Sequence, residues 1–364
     1  MIIIFGIFDY INQTKNISFD QLPLNEIDAA IFSQLIYLNF EIFSSNEKGK
    51  LKDLNKENTI NKLTARTWQP EKNKELIKKI STSQRYMNII WSNFKKVVDL
   101  DKQEQFAAIS FLLKNNTSFL AFRGTRATFI GWKENLNMLY LPFIPSQLSA
   151  IKYFNLVSNQ QSQNFYLGGH SKGGNLATFI ALTANVTKQA QIKKVFNFDG
   201  PGFNETTQQK LNYSFYTGKI EKLIPQESLF GVLFENKQNF KVINSCAHGI
   251  SQHDIFTWQV NFAATTFQQA THLSLLSLNL QDCFKDTIVT YTPELCKQWI
   301  ETFYSLLEST GCKSFNELSQ EKLYYTFYFL MTFSNVQSAQ KRNFLRGITI
   351  FIRLYFRSIY NSKI

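Results

Sequence analysis

Long uninterrupted apolar runs are missing from this chain of 364 residues. A membrane-spanning helix needs roughly 18 such residues, so none is expected. The brief run Met1–Phe8 lacks a basic flank and a small-residue cleavage site, and it reads as the start of the mature fold. Cysteine is sparse: Cys246, Cys283, Cys296 and Cys312 form no C-x-x-C pair and show no metal-ligand spacing. That excludes a disulfide framework and a zinc-finger type, and it points to free thiols in a reducing compartment, hence cytoplasmic residence. Internal repeats and low-complexity tracts are absent as well. Charged residues make up 18% and hydrophobic ones 44%, which excludes a disordered chain. With only four histidines, any imidazole chemistry has few possible seats.

The formal net charge is +12, unevenly spread: Gln340 to Ile364 holds six Lys or Arg and no acid. The first 339 residues carry 33 basic against 27 acidic residues, a mild excess that does not call for a nucleic-acid partner. If Arg342 to Tyr360 is helical, Arg342, Arg346, Arg353 and Arg357 share a narrow stripe. Ile348, Phe351, Ile352, Tyr355, Phe356 and Ile359 then cover a face away from it. Such a helix either lies on an anionic membrane, making the protein peripheral to it, or packs on the domain with its arginines solvated.

What the chain does contain is Gly169-His170-Ser171-Lys172-Gly173, between the apolar Phe165-Tyr166-Leu167-Gly168 and the small-residue run Asn175–Leu182. G-x-S-x-G is what a sharp strand-to-helix turn needs to present a serine nucleophile, with glycines leaving room for helix and strand to pass closely. Lys194–Phe198 reads as the following parallel strand. Phe106–Leu113 and Ser118–Phe122 flank a polar turn and predict a hairpin. Asn25 and Asp28 suit the N-cap and N3 positions of a helix whose Ile27, Ile31, Leu35 and Leu38 share a face. The polar stretch from about Glu47 to Lys72 reads as a loop with little packing of its own. A helix is expected over Asn73–Ser81, and a further element over Trp91–Val98. After Trp258 the pattern turns helical, with Thr292-Pro293-Glu294 a helix start and Gly311 its stop. The order implies an α/β sheet with an antiparallel front edge: a hydrolase-type domain over 1–270 and a basic, all-helical appendage over 271–364.

A serine hydroxyl needs a base, and the base needs an acid. His253, in Ser251-Gln252-His253-Asp254, lies downstream where such a fold seats its base, and is favoured over His248. For the acid, Asp199 closes the strand after the elbow helix, in Phe198-Asp199-Gly200-Pro201-Gly202, where ligands of such sheets bind. Glu227, after Leu223-Ile224-Pro225, is the alternative, and an Asp-Gly-Pro-Gly turn held by its own carboxylate is the structural one. The oxyanion hole would draw one N–H from Lys172 and another from the loop Phe122-Arg123-Gly124-Thr125.

Ala121-Phe122-Arg123-Gly124-Thr125 together with the Ser-Lys elbow resembles the class 3 (fungal-type) lipase superfamily. The likeness is greater to its bacterial Mbeg-like branch, through Phe8-Asp9-Tyr10-Ile11, Gly131-Trp132-Lys133-Glu134, Asn197–Phe203 and Gln252-His253-Asp254. It covers roughly residues 5 to 262 and implies an α/β-hydrolase fold. Ser171 is then the nucleophile, His253 the base, and Thr125 an oxyanion residue. The resemblance places a short lid at Thr128–Asn135, with Phe129 and Trp132 as its substrate-covering rings; a plain packed helix is the other reading. One position departs from the pattern: Lys222 stands where class 3 lipases carry their acid, which shifts weight to Asp199. The sequence therefore reads as a serine hydrolase of an acyl ester or lipid, needing no metal or cofactor. The alternative is a catalytically degenerate hydrolase fold that binds a lipid or protein.

Overall fold

The computed structural model describes residues 5–44, 46–114, 116–160, 164–211, 218–235, 240–261, 265–314, 317–318 and 331–361. Met1–Ile4, Asn115, and the side chains of Phe351 and of residues 354–361 lie outside the description.

Sheet order follows chain order: β1 (Gly49–Lys50), β2 (Ile90–Asp99), β3 (Glu104–Leu112), β4 (Thr117–Phe122), β5 (Asn164–His170), β6 (Ile192–Phe198), β7 (Ile220–Pro225) and β8 (Lys241–Ile243). The first four pair antiparallel and β4 to β8 pair parallel, so the expected hairpin is the hinge between the two halves. Parallel strands need covered faces, and the period-two alternation supplies two apolar ones. On β4, Phe119 and Ala121 enter one core with Phe32, Phe111, Phe196 and Phe198. Leu120 and Phe122 enter the other, with Phe154, Leu167, Leu176 and Val195. Helix α2 (Glu26–Leu35) fills the first layer, beside α1 (Ile7–Thr14). Its Asn25 cap accepts from Ile27 N at 2.9 Å, and Asp28 answers by accepting from Asn25 N at 3.1 Å. Every residue of α2 is buried, so the face read from the sequence is only part of what it hides. Asp28 also takes the buried Arg85 guanidinium at 2.5 Å and the Tyr86 hydroxyl at 2.5 Å.

The stretch read as a loop, Glu47 to Lys72, is structured. It contains β1, a 3-10 turn Leu51–Leu54, α3 (Glu57–Thr64) and the start of α4 (Pro70–Thr82). Leu51, Leu54, Ile60 and Leu63 are buried in the first core, and the lysines ride outside. Two apolar side chains on each of two short elements suffice to order a segment whose average composition is polar. A second difference follows Trp258: the hairpin β9 (Val260–Asn261) with β10 (Thr266–Phe267) precedes the helices.

The middle of the chain also forms α5 (Phe129–Asn137), α6 (Pro145–Gln160), α7 (Lys172–Thr183), α8 (Val186–Gln191) and α9 (Glu205–Gln208), and of these α6 and α7 cover the second core. Then come α10 (Leu275–Thr290), α11 (Pro293–Glu308) and α12 (Ser338–Asn361). Thr292 caps α11 with Pro293 at its first position, and Gly311 adopts φ +75° beyond its end. Among the described residues, no helix is long and apolar enough to cross a membrane. The sheet order, the parallel crossovers and the strand-turn-helix at Ser171 make this an α/β-hydrolase fold.

Candidate active site

Ser171 stands between β5 and α7 with φ 58° and ψ −132°, a conformation that L-residues avoid. Its N–H donates to Phe198 O at 2.8 Å, which fixes the turn over the end of β6. The turn is tight enough that a Cβ on Gly173 would strike the Phe122 carbonyl, and one on Gly169 would strike Gly173. This is the physical reason for glycine two residues on either side of the serine. The hydroxyl itself makes no hydrogen bond among the described residues.

Asp199, also at positive φ (50°), is fully buried at the end of β6. Its Oδ2 lies 2.6 Å from His253 Nδ1, while Oδ1 accepts from Ser228 Oγ at 2.5 Å and Gly231 N at 3.1 Å. Three partners hold one carboxylate in a single orientation. Glu227 is engaged elsewhere: it accepts from Gly249 N, and it sits 3.7 Å from the exposed His248. Lys222, on β7, pairs with Glu235 at 2.6 Å and is nearly buried. The structure thus brings Asp199 to the His253 ring and keeps Glu227 and Lys222 on other partners.

His253 is held between two rings: His170 at 4.2 Å and Phe230 at 4.4 Å between centroids. His170 Nδ1 meets the Tyr37 hydroxyl at 3.2 Å. Burial first, then the neighbouring His253, push the His170 imidazole well below the ordinary histidine range. A neutral ring therefore packs against the His253 ring.

The loop after β4 runs directly beside the serine: a Cβ on Gly124 would come within 2.6 Å of His170 O and 3.1 Å of Ser171 Cβ. Arg123 N donates to Ala107 O at 3.0 Å, and Arg126 N to Gln105 Oε1 at 2.7 Å, so the loop is pinned on both sides of Thr125. The Thr125 hydroxyl donates to Asn135 Oδ1 at 2.9 Å. Neither the Thr125 N–H nor the Lys172 N–H finds an acceptor among the described residues. Arg123 is 1% exposed, and burial followed by nearby Arg126 lowers its guanidinium to about 9.

The Lys172 side chain turns inward. Its Nζ lies 2.5 Å from Glu134 Oε2 and 2.7 Å from Gln105 O, with both charged side chains at 0% exposure. Glu134 also accepts from Gln105 N at 3.0 Å and Ser146 N at 2.8 Å. One buried carboxylate thus ties α5, β3, the start of α6 and the elbow together. The opposite flank of α5 is tied down too. Phe129 is buried with Ile300, Tyr304, Leu307 and Cys312, its N–H donates to Lys313 O at 3.0 Å, and Lys133 pairs with Glu301 at 2.9 Å. Trp132 meets Phe230 at 6.0 Å, the ring that flanks His253.

Tyr37, Ser228 and Phe230 complete the surroundings and escaped the sequence reading, while His170 and Glu134 entered it only as members of the elbow and of the Gly131–Glu134 motif, with no site role. Only Glu134 left a signal: a lysine at the first position of an otherwise buried helix asks for a buried acid. Among the described residues, no group of three or more His, Cys, Asp or Glu could hold a metal ion.

A family model described as Mbeg1-like matches residues 80–305, from the end of α4 into α11. The match begins later than the span read from the motifs, leaving Phe8–Ile11 outside it, and ends later, taking in α10 and most of α11, the helix that holds α5. Among curated proteins, none matches the sequence. Among the solved structures similar to it are two lipases. The M37 lipase is 12% identical with TM-score 0.35, over 58% of this chain and 70% of that one. Lipase II from Rhizopus niveus is 17% identical with TM-score 0.29, over 43% of this chain and 66% of that one.

Proposed function

Since the chain belongs to the Mbeg1-like family and carries the arrangement around Ser171, we propose that it is a serine hydrolase that cleaves an acyl ester. The observation that carries the reading is the 2.6 Å contact of His253 Nδ1 with a buried, threefold-anchored Asp199 beside a serine on a strained elbow. Asp199 holds the tautomer with the proton on Nδ1, leaving Nε2 to receive the Ser171 proton. Ser171 Oγ attacks the acyl carbon. The oxyanion that forms is met by the N–H groups of Lys172 and Thr125, the former at the positive end of α7. Collapse of the tetrahedral intermediate expels the alcohol, which leaves with the proton from His253. A water deprotonated by His253 then releases the acid and restores the serine. A base-nucleophile bond that is open in the free enzyme tightens when substrate arrives. Trp132 and Phe230 supply apolar surface beside the reacting groups, suited to an acyl chain.

The degenerate-binder alternative drew its support from Lys222 in the acid's usual position. With a carboxylate reaching His253 from the neighbouring strand, that support falls away. The test is covalent labelling with a fluorophosphonate probe, together with p-nitrophenyl ester turnover. Wild type should label and turn over, and Ser171→Ala should do neither. Equal labelling of both proteins, or turnover unchanged in His253→Ala, would overturn the reading.

A further inference from the structure

Helix α12 has features that neither the fold nor the catalytic site uses. Between 338 and 361 it carries five Lys or Arg and no acid. One flank is docked: Phe344 is 5% exposed, its ring stacks on Trp299 at 5.1 Å, and Trp299 Nε1 donates to Phe344 O at 3.2 Å. Next to that flank, Leu345, Ile348 and Ile352 are 51%, 38% and 47% exposed. At 3.6 residues per turn these three fall within an arc of about 60°. Arg342, Arg346 and Arg353, all exposed, fill a second arc of about 40° alongside it.

We infer that this face of α12 is a docking surface for an anionic lipid membrane. An aliphatic row beside an arginine row is what a helix lying in the bilayer interface requires. The aliphatic side chains enter the acyl boundary, while the guanidinium groups reach sideways to the phosphates on their long stems. Charge argues against the other occupants. A second copy of this chain would bring its own arginine row against the first, on a protein whose formal net charge is +12. A nucleic acid would satisfy the arginines but offers nothing to three exposed aliphatic side chains. The docked flank keeps the helix attached to α11, which holds α5 beside the site. A membrane bound here would therefore be in mechanical contact with the catalytic domain through packed side chains.

The test uses the full chain carrying Ser171→Ala, so it is independent of ester cleavage and its outcome is read separately. Co-sedimentation is measured with phosphatidylcholine vesicles, with and without phosphatidylglycerol, at low and high salt. Binding is expected to the anionic vesicles alone and to weaken with salt. Each arginine contributes about fivefold to partitioning, so Arg342→Gln/Arg346→Gln/Arg353→Gln should lower it by about 100-fold. Leu345→Ser/Ile348→Ser/Ile352→Ser should lower it at least about tenfold. If either triple variant melts early, Arg346→Gln and Ile348→Ser serve in its place. The proposal is overturned by equal binding to neutral vesicles, or by no binding to anionic ones. Binding indifferent to the serine exchanges overturns it too, since that marks attraction to any polyanion, DNA included. So does a dimer, seen by light scattering, that the serine exchanges dissociate.

Discussion

Lys172→Met and Glu134→Ala separate two halves of one buried ion pair, and the structure sets them apart in cost. Both side chains are at 0% exposure, 2.5 Å apart. Removing one member of such a pair costs about 3–5 kcal/mol, because the survivor is a buried charge without its counterion. The survivors differ. Without Lys172, the Glu134 carboxylate still accepts from Gln105 N and Ser146 N. Without Glu134, the ammonium keeps Gln105 O and a long contact to Ser146 Oγ at 3.4 Å, and two buried N–H groups lose their acceptor. Lys172→Met should therefore fall near about 3 kcal/mol and Glu134→Ala near about 5 kcal/mol, or beyond it once the orphaned donors are counted. The double variant Lys172→Met/Glu134→Ala leaves no isolated charge and should cost less than the sum of the singles by about 2 kcal/mol. Urea unfolding followed by tryptophan fluorescence measures all four proteins. Lys172→Met should also lose turnover while still folded, because the exchange frees the residue whose N–H is proposed to hold the oxyanion. Singles within about 1 kcal/mol of wild type, or strict additivity in the double variant, would refute the reasoning.

Asp199→Asn keeps the shape around His253 but favours the wrong imidazole tautomer; kcat for a p-nitrophenyl ester should fall by about four orders of magnitude with KM little changed. Arg85→Leu strips the buried Asp28 of its guanidinium partner and should cost about 3–5 kcal/mol in the same urea assay, whereas Lys74→Leu, on an exposed pair, should be nearly silent. His170 is neutral when folded and protonates near 6.5 once unfolded, so acidification draws protons to the unfolded chain. Its contribution is nil well above that value and grows unfavourable as pH falls below it, by up to about 1.4 kcal/mol per pH unit. His170→Phe should therefore lose less stability between about pH 7 and pH 5 than wild type does. An equal loss in both would remove His170 as the cause.

Much of the scaffold is local chemistry, and that part was legible. The Asn25–Asp28 box, the hairpin at β3–β4, the Gly-x-Ser-x-Gly turn and the Thr292-Pro293 helix start each need only a few neighbouring residues to specify them. Segments whose order comes from elsewhere were not. Leu51, Leu54, Ile60 and Leu63 are too thinly spread to signal an element until the first core receives them. The β9–β10 hairpin is built from two-residue strands that leave no periodicity to read. The site divides in the same way. Ser171, and Asp199 as one of two candidate acids, follow from strand ends, because a strand's C-terminal residue faces the cleft whatever the loops do. That Asp199 meets His253 while Glu227 turns to Gly249 depends on Ser228 and Gly231 fixing the carboxylate from another loop. Nothing within Phe198–Gly202 encodes that contact.

Helix α5 explains why the elbow carries lysine at a position where a small apolar side chain would pack more simply. Its inner flank supplies Glu134, whose carboxylate reaches the elbow, β3 and α6 together. Its outer flank supplies Phe129 and Lys133 to α11. An apolar residue at 172 would fill the space but remove the tie between the elbow and α5, leaving Glu134 to hold α5 through Gln105 N and Ser146 N alone. The helix that presents Trp132 to Phe230, and through it adjoins His253, is thus held from below by a buried charge pair and from above by α11. The division proposed near residue 270 is one of sequence pattern, and packing crosses it at Phe129. On the proposed function, a helical unit that fixes α5 from outside is placed to change the access to Ser171 without touching the serine, His253 or Asp199.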